Sequence, residues 1–272
     1  MAVPNVKMNN GRTIPQIALG LWKVNPGFVA KKAVKMGLEA GYTHFDSAQY
    51  YRNEDALGEA IKESGVPREN LFITTKIKNE NFKPDKLIPS FEKSLKKLQM
   101  DYVDLLLLHF PVSGLRQGAW PLMEQIYESG KAKSIGVSNY TIRHLEELLA
   151  SCNVKPAVNQ VELHVFLQQP QLVEYCKKND IVVEAYSPLA HAKKMEHPTL
   201  EKLAKKYGKT NAQIMLRWTI DYGTVTLPKS THKERIEENF DIFDFKLTNE
   251  DMSELTNLDE NLRTAWDPTN VT

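Results

Sequence analysis

Val103-Asp-Leu-Leu-Leu-Leu108, closed by His109, is an almost continuously apolar run with Asp104 as its one polar member. Such a run is the pattern of a parallel strand covered on both faces. Shorter runs of the same kind precede it at Ile17-Ala-Leu-Gly-Leu21, Thr43-His-Phe45 and Leu71-Phe-Ile-Thr-Thr75. Others follow at Ser134-Ile-Gly-Val137, Ala157-Val158, Ile181-Val-Val-Glu-Ala185 and Thr224-Val-Thr-Leu227. Helical segments separate them at Phe28–Ala40, Asn53–Ser64, Lys86–Leu98, Pro121–Ser129, Ile142–Ala150, Gln171–Lys178 and Thr210–Tyr222. Their apolar residues recur at three and four, as Leu145, Leu148 and Leu149 do. Eight βα units over roughly 250 residues predict a closed (β/α)8 TIM barrel, an α/β fold. A doubly wound sheet also alternates, but it usually stops earlier and wants a glycine fingerprint after its first strand. The chain contains neither G-x-G-x-x-G nor G-x-x-x-x-G-K-[ST]. Asn10-Gly11 reads as a type I′ β-hairpin ahead of the first unit. No linker or low-complexity tract divides the chain, so residues 1–272 are expected to form one domain.

Composition narrows the function. Of 272 residues, 42% are hydrophobic and 25% charged, an ordinary globular balance. Lys plus Arg number 35 against 34 Asp plus Glu, a net charge of +1. Nothing in that balance argues for nucleic acid or an anionic membrane. Two cysteines, Cys152 and Cys176, build no disulfide framework and read as small buried hydrophobes. The first ten residues lack an apolar core, and no stretch approaches the ~18 apolar residues of a membrane span. A cytoplasmic protein acting on a small molecule is expected.

Barrel chemistry sits at the C-terminal strand ends. Those ends carry Asp46, Lys76, His109, Ser138-Asn139, Gln160, Tyr186-Ser187 and Lys229-Ser230. Each alone has an ordinary reading as an ion-pair partner or a core polar group. Together they are costly to bury unless they satisfy one another or serve a ligand. Tyr51 lies five residues beyond Asp46, before a helix with Asn53 as its expected N-cap. A phenol titrates near ~10, and lowering it to ~8 takes about 2.7 kcal/mol. An ammonium about 4 Å away supplies ~4 kcal/mol at an effective dielectric of 20. Lys76, held by Asp46, is therefore expected to pull Tyr51 down into the range of a general acid.

These residues carry a family resemblance. Gly41-Tyr-Thr-His-Phe-Asp46-Ser-Ala-Gln-Tyr-Tyr51-Arg-Asn-Glu54, Ile73-Thr-Thr-Lys76, Asp101 to His109 and Ser134-Ile-Gly-Val-Ser-Asn139 resemble aldo-keto reductase motifs. So do Asn159-Gln160-Val-Glu162 and Leu227-Pro-Lys-Ser230, continuing to Arg235-Ile-Glu-Glu-Asn239. The similarity runs in order along nearly the whole chain. It implies a metal-free, NADPH-dependent reductase of small aldehydes or ketones, monomeric by the family's habit. It implies Tyr51 as proton donor, Lys76 and Asp46 as its tuners, and His109 orienting the carbonyl. Ser138, Asn139, Gln160 and Tyr186 would hold the nicotinamide, with further NADP contacts from Ser187, Leu189, Ser230 and Thr231. Trp22 and Phe110 would join Tyr51 and His109 around the substrate.

Thr231-His-Lys-Glu234 fits a capping box, and Arg235, Glu238 and Asn239 then share one helix face. A helix N-terminus there could bind phosphate, yet the same residues fit a plain capped surface helix. The resemblance favours the former, with Lys229 and Arg235 on the 2′-phosphate and Glu238 and Asn239 on the adenine. Departures from the family pattern bear on substrate: Leu21 before Trp22, Lys78 two beyond Lys76, and Phe110 after His109. Short segments at Pro111–Ala119 and Pro188–His197, and little chain beyond Trp266-Asp-Pro268, predict an open mouth.

Rival chemistries remain. A hydrolase would use Asp46, Glu162 and Glu184, but Asp46 is better employed beside Lys76. His191 and His197 lack metal-ligand spacing. A non-catalytic NADP-binding regulatory subunit on the same barrel is the alternative of a different class.

Overall fold

A computed structural model describes residues 3–272. The barrel strands are β3 (Leu19–Gly20), β4 (His44–Asp46), β5 (Phe72–Ile77), β6 (Leu105–Leu108), β7 (Ile135–Ser138), β8 (Val158–Glu162), β9 (Val182–Tyr186) and β10 (Val225–Leu227). They pair in parallel in chain order. Backbone hydrogen bonds from Ala18 N to Thr226 O and Gly20 N to Pro228 O, both 2.9 Å, close the ring. Expected and observed architecture agree.

The β6 run shows why apolar residues had to be continuous. All four leucines are fully buried. Leu105 and Leu107 join the barrel-interior cluster with Met8 and Ile14, which the N-terminal hairpin inserts from below. Leu106 and Leu108 join the larger cluster shared with helix residues such as Leu95 and Leu98. A strand with an apolar layer on each side leaves no face for polar residues. The same two-residue period carries the inward face upward from Phe72 to Thr74 and Lys76, and from Val158 to Gln160 and Glu162. Apolar residues fill the lower barrel and polar ones its upper end. Gly136 is required on the way: a Cβ there would lie 2.5 Å from Val158 O.

Around the barrel lie α1 (Phe28–Ala40), α2 (Glu54–Ser64), α3 (Leu87–Leu98), α4 (Arg116–Glu128), α5 (Ile142–Leu149), α6 (Pro170–Lys178), α7 (Pro198–Tyr207), α8 (Asn211–Asp221), α9 (Lys233–Phe240) and α10 (Asn249–Thr256). Among the described residues no helix is long and apolar enough to cross a membrane. Several local expectations need correction. α4 begins at Arg116, so Pro121 lies inside it rather than at its start. Arg116 is nearly buried and tied to Glu147 and to Thr272 O, contacts that pin the extra turn. α7 was invisible because its cap is a histidine: the His197 ring accepts from Thr199 N at 3.2 Å. The hairpin β1 (Asn5–Lys7) to β2 (Thr13–Pro15) turns through a longer loop, closed by Met8 N to Arg12 O, with only Gly11 at positive φ. A type I′ turn needs two such residues, so this is a type I turn followed by a left-handed glycine. Asn53 precedes α2 but does not cap it; its side chain bonds Ser47 and the carbonyls of Leu21 and Val24. The fold spends that amide on tying the first two βα loops together.

Candidate active site

Asp46 ends β4, and Lys76 stands on β5 two residues beyond Thr74, Asp46's register partner. Lys76 is fully buried, yet its ammonium is saturated. It donates to Asp46 Oδ1 and Oδ2 at 2.6 and 2.7 Å, to Ser47 O at 3.0 Å and to Tyr51 OH at 3.2 Å. A buried pair survives only with such geometry and extra bonds on both ions. Asp46 gains its extra bond from Gln160 Nε2 at 2.9 Å, across 114 residues of chain.

Tyr51 sits in a short 3-10 turn, Gln49–Tyr51, above this pair. Because Lys76 donates to the phenol oxygen, the phenol's own proton is directed elsewhere, toward the cleft. The expected lowering of its pKa is not what the surroundings produce. Burial, then the charges of Asp46 and Glu184, hold Tyr51 well above its usual range. From the sequence, Asp46 was expected to offset only part of the Lys76 charge, whereas its two carboxylate contacts cancel most of that field at the hydroxyl. Tyr51 therefore stays protonated throughout the physiological range, a donor that yields only to a strong base beside it.

His109 closes β6, its ring centre 5.7 Å from that of Tyr51. Burial, then the Lys76 charge, pushes its pKa well below the usual imidazole value, so the ring is neutral. Its Nδ1 is buried with no partner. Aromatic rings surround it: Tyr50 at 5.3 Å and Trp266 at 5.5 Å. Phe110 stands one ring further out, edge-on to Trp266 at 5.7 Å. The expectation of an open mouth with little tail over it is thus corrected. Glu162 accepts from the backbone N–H of Thr264 at 2.8 Å and of Ala265 at 3.0 Å, which turns Trp266 over the cleft. Beyond it, Val271 O accepts from Arg143 and His144.

One cavity of about 1000 Å³ runs from this end across the barrel mouth to α9. Sixteen of the seventeen named candidates other than Lys76 border or approach it as follows. Trp22, Asp46, Tyr51, His109, Ser138, Asn139, Gln160 and Tyr186 line its floor and near wall. Ser187, Leu189, Lys229, Ser230, Thr231, Arg235, Glu238 and Asn239 line its far half. Phe110 lies outside the lining, and Lys76 lies beneath the floor. Ser138, Asn139 and Tyr186 form a chain: Tyr186 OH donates to Asn139 Oδ1 at 2.8 Å, and Asn139 Nδ2 donates to Ser138 Oγ at 3.0 Å.

The segment Pro188–His197 is short but does cross the cleft: the His191 ring lies 5.4 Å from Trp22. Ser187, Ala190, His191 and Ala192 all hold positive φ, a cost that non-glycine residues bear only when surroundings impose it. The expected capping box is absent. α9 starts at Lys233, and the Ser230 hydroxyl accepts from His232 N at 3.1 Å instead of a Thr231 cap. Lys229 and Arg235 are exposed on the cavity wall and form no ion pair among the described residues. Glu238 is engaged by the Thr210 hydroxyl at 2.6 Å.

Sequence reasoning missed Trp266 and His191 as walls, Tyr50 packed against the His109 ring, and Glu184 beneath Gln160. A tryptophan in an otherwise polar tail was the available signal for the first. Among the described residues no three His, Cys, Asp or Glu side chains converge to hold a metal.

The model of the aldo/keto reductase family matches residues 16–260. A glyoxal reductase of Bacillus subtilis (strain 168) is 44% identical over 97% of this chain and 95% of its own length. A methylglyoxal reductase of Escherichia coli (strain K12) is 42% identical over 98% of each chain. A solved aldo-keto reductase of Bombyx mori in complex with NADP superposes with a TM-score of 0.91 at 36% identity, covering 97% of this chain and 95% of that one.

Proposed function

The chain belongs to the aldo/keto reductase family, and on that premise we propose that it reduces the carbonyl of small aldehydes or ketones to the alcohol with NADPH. The observation that carries this reading is the position of the Tyr51 hydroxyl. It rests on the buried Lys76–Asp46 pair at the floor of a cleft whose far wall offers two unpaired cations.

The lining fits the coenzyme. Lys229 and Arg235 suit a 2′-phosphate, which acidic walls would repel. The Gln160 amide, its nitrogen spent on Asp46 and Glu184, is left with an acceptor for a carboxamide N–H. NADPH, when bound, supplies a hydride to the carbonyl carbon.

The chain's own residues handle the oxygen. His109, neutral, donates from the ring nitrogen other than Nδ1 and orients the carbonyl. Negative charge growing on that oxygen meets the Tyr51 hydroxyl, which gives up its proton. The phenolate formed is held by the Lys76 ammonium already bonded to its oxygen. Asp46 keeps Lys76 charged and fixed, so no side chain has to move far. Trp22 and Trp266, on the cleft wall, favour compact, weakly polar substrates. Glyoxal and methylglyoxal, the substrates of two relatives, are the first to try here.

The test is NADPH oxidation, followed by absorbance, against a panel of 1,2-dicarbonyls, simple aldehydes and ketones. Turnover abolished by Tyr51→Phe supports the reading. Tight NADPH binding without turnover of any carbonyl would favour the regulatory-subunit alternative instead.

A further inference from the structure

Glu184 is a fully buried carboxyl for which the proposed reaction has no use. It stands on β9 directly abreast of Gln160 on β8, as register partners in the sheet. Gln160 Nε2 donates to Glu184 Oε2 at 2.8 Å and, at the same time, to Asp46 Oδ2 at 2.9 Å. A side-chain amide has two N–H donors, and here both are consumed on the barrel side. Were the amide reversed, its carbonyl oxygen would face the Asp46 carboxylate within hydrogen-bond distance, a repulsive arrangement, and neither of its N–H groups would reach the barrel-side acceptors. The nitrogen is therefore held inward and the oxygen is left toward the cleft that Gln160 lines.

We propose that Glu184 is a positioning residue: with Asp46 it locks Gln160 with its carbonyl oxygen outward, so that the β8 end presents an acceptor reserved for the carboxamide N–H2 of the nicotinamide. This rests on the NADPH reading above. The neighbours of Glu184 suit the role. Burial, then the Asp46 charge, pushes its carboxyl well above the usual carboxylate range. It thus accepts from Gln160 as a neutral acid and adds no second full charge beside Asp46 and Lys76. Its other oxygen has no hydrogen-bond partner and lies 3.7 Å from His44 Nε2, which itself bonds Thr74 Oγ1 at 3.0 Å. His44 is neutral, its pKa lowered to about 3 chiefly by burial. Asp46 alone would fix one N–H and leave the other without a partner.

The experiment compares binding of NADP+ with that of its 3-acetylpyridine analogue, in which a methyl group replaces the carboxamide N–H2, by fluorescence titration. The unmodified protein is expected to prefer NADP+ by about threefold to tenfold, the size of one neutral hydrogen bond. Glu184→Met keeps the length of the side chain and deletes the acceptor; the preference is expected to fall to within about twofold of unity. Glu184→Gln retains an acceptor oxygen and is expected to restore it. If Glu184→Met does not fold, Glu184→Leu supplies the same arm, with thermal unfolding as the control for either. Failure of the unmodified protein to bind NADP+ would overturn the NADPH reading itself. Binding without discrimination would overturn the acceptor role of Gln160, and the proposal with it. Discrimination that survives Glu184→Met or Glu184→Leu would overturn the Glu184 role alone.

Discussion

The indole of Trp266 lies 5.5 Å from the imidazole of His109, ring centre to ring centre, and so walls the His109 end of the cleft. The contact depends on Glu162, whose carboxylate binds the two backbone N–H groups just before the tryptophan. An aromatic contact of this kind is worth about 0.5–1.5 kcal/mol. Trp266→Ala is expected to raise KM for a good carbonyl substrate by about twofold to tenfold, while NADPH affinity stays within about twofold. Glu162→Gln, which weakens the anchor, is expected to move KM in the same direction. Steady-state kinetics with parallel coenzyme titration checks both, and an unchanged KM in Trp266→Ala would remove the tail from the substrate site.

Tyr51→Phe deletes one hydroxyl and keeps the ring. Loss of a positioned acid costs ~10²–10⁴ in rate. We expect kcat to fall by at least that much, with NADPH affinity changed by less than about threefold. Tyr50→Phe is the control. Its hydroxyl bonds Glu80 Oε2 at 2.9 Å, away from the cleft floor, so the chemical step should be nearly unaffected. A crippled Tyr50→Phe beside an active Tyr51→Phe would reverse the assignment.

Arg235→Ala tests the phosphate end. A charge-assisted contact is worth ~1.5–3 kcal/mol before exposure and salt reduce it. The expected loss is about 10- to 100-fold in NADPH affinity, with NADH affinity altered by less than about threefold. Equal losses for both coenzymes would place Arg235 away from the 2′-phosphate.

Chelation is expected to be without effect, since the proposed donor is a phenol and the described residues gather no ligand cluster. Dialysis against a strong chelator should leave turnover unchanged. A large loss restored by a divalent ion would refute the mechanism.

Asp251, on α10, gives a pH signature of stability. Burial raises its pKa, but hydrogen bonds from Lys206, Tyr207 and Thr248 outweigh this and bring it down to about 2. A carboxyl depressed below its unfolded value of ~3.9 stabilises the fold above that pH and loses its contribution between about pH 4 and 2. Lys206 is about half exposed, so we expect ~1–2 kcal/mol rather than the full shift. Asp251→Asn should be less stable by that amount at pH 7 in urea unfolding, with the gap closing by about pH 2. A gap constant to pH 2 would assign the loss to packing.

Much was legible in the residues themselves. A strand buried on both faces must be apolar throughout, so Leu105–Leu108 declared its place, and the repeat of such runs declared the barrel. Asp46, Lys76, His109 and Gln160 were legible for the converse reason: polar residues that end apolar runs can be accommodated only at a mouth. Spacing along the chain thus determined which residues share the cleft. It could not determine how they share charge. Asp46 was expected to offset only part of the Lys76 charge, whereas burial and the register across β4, β5, β8 and β9, which gathers Asp46, Gln160 and Glu184 beneath Tyr51, reverse the shift. Nor could it reveal the wall that Trp266 builds. That contact depends on where a polar tail returns across the barrel, and the tail follows Glu162 rather than any periodicity of its own. Local pattern reports which side of an element is buried. Electrostatic tuning and pocket walls depend on distances between elements far apart in the chain, which only tertiary packing sets.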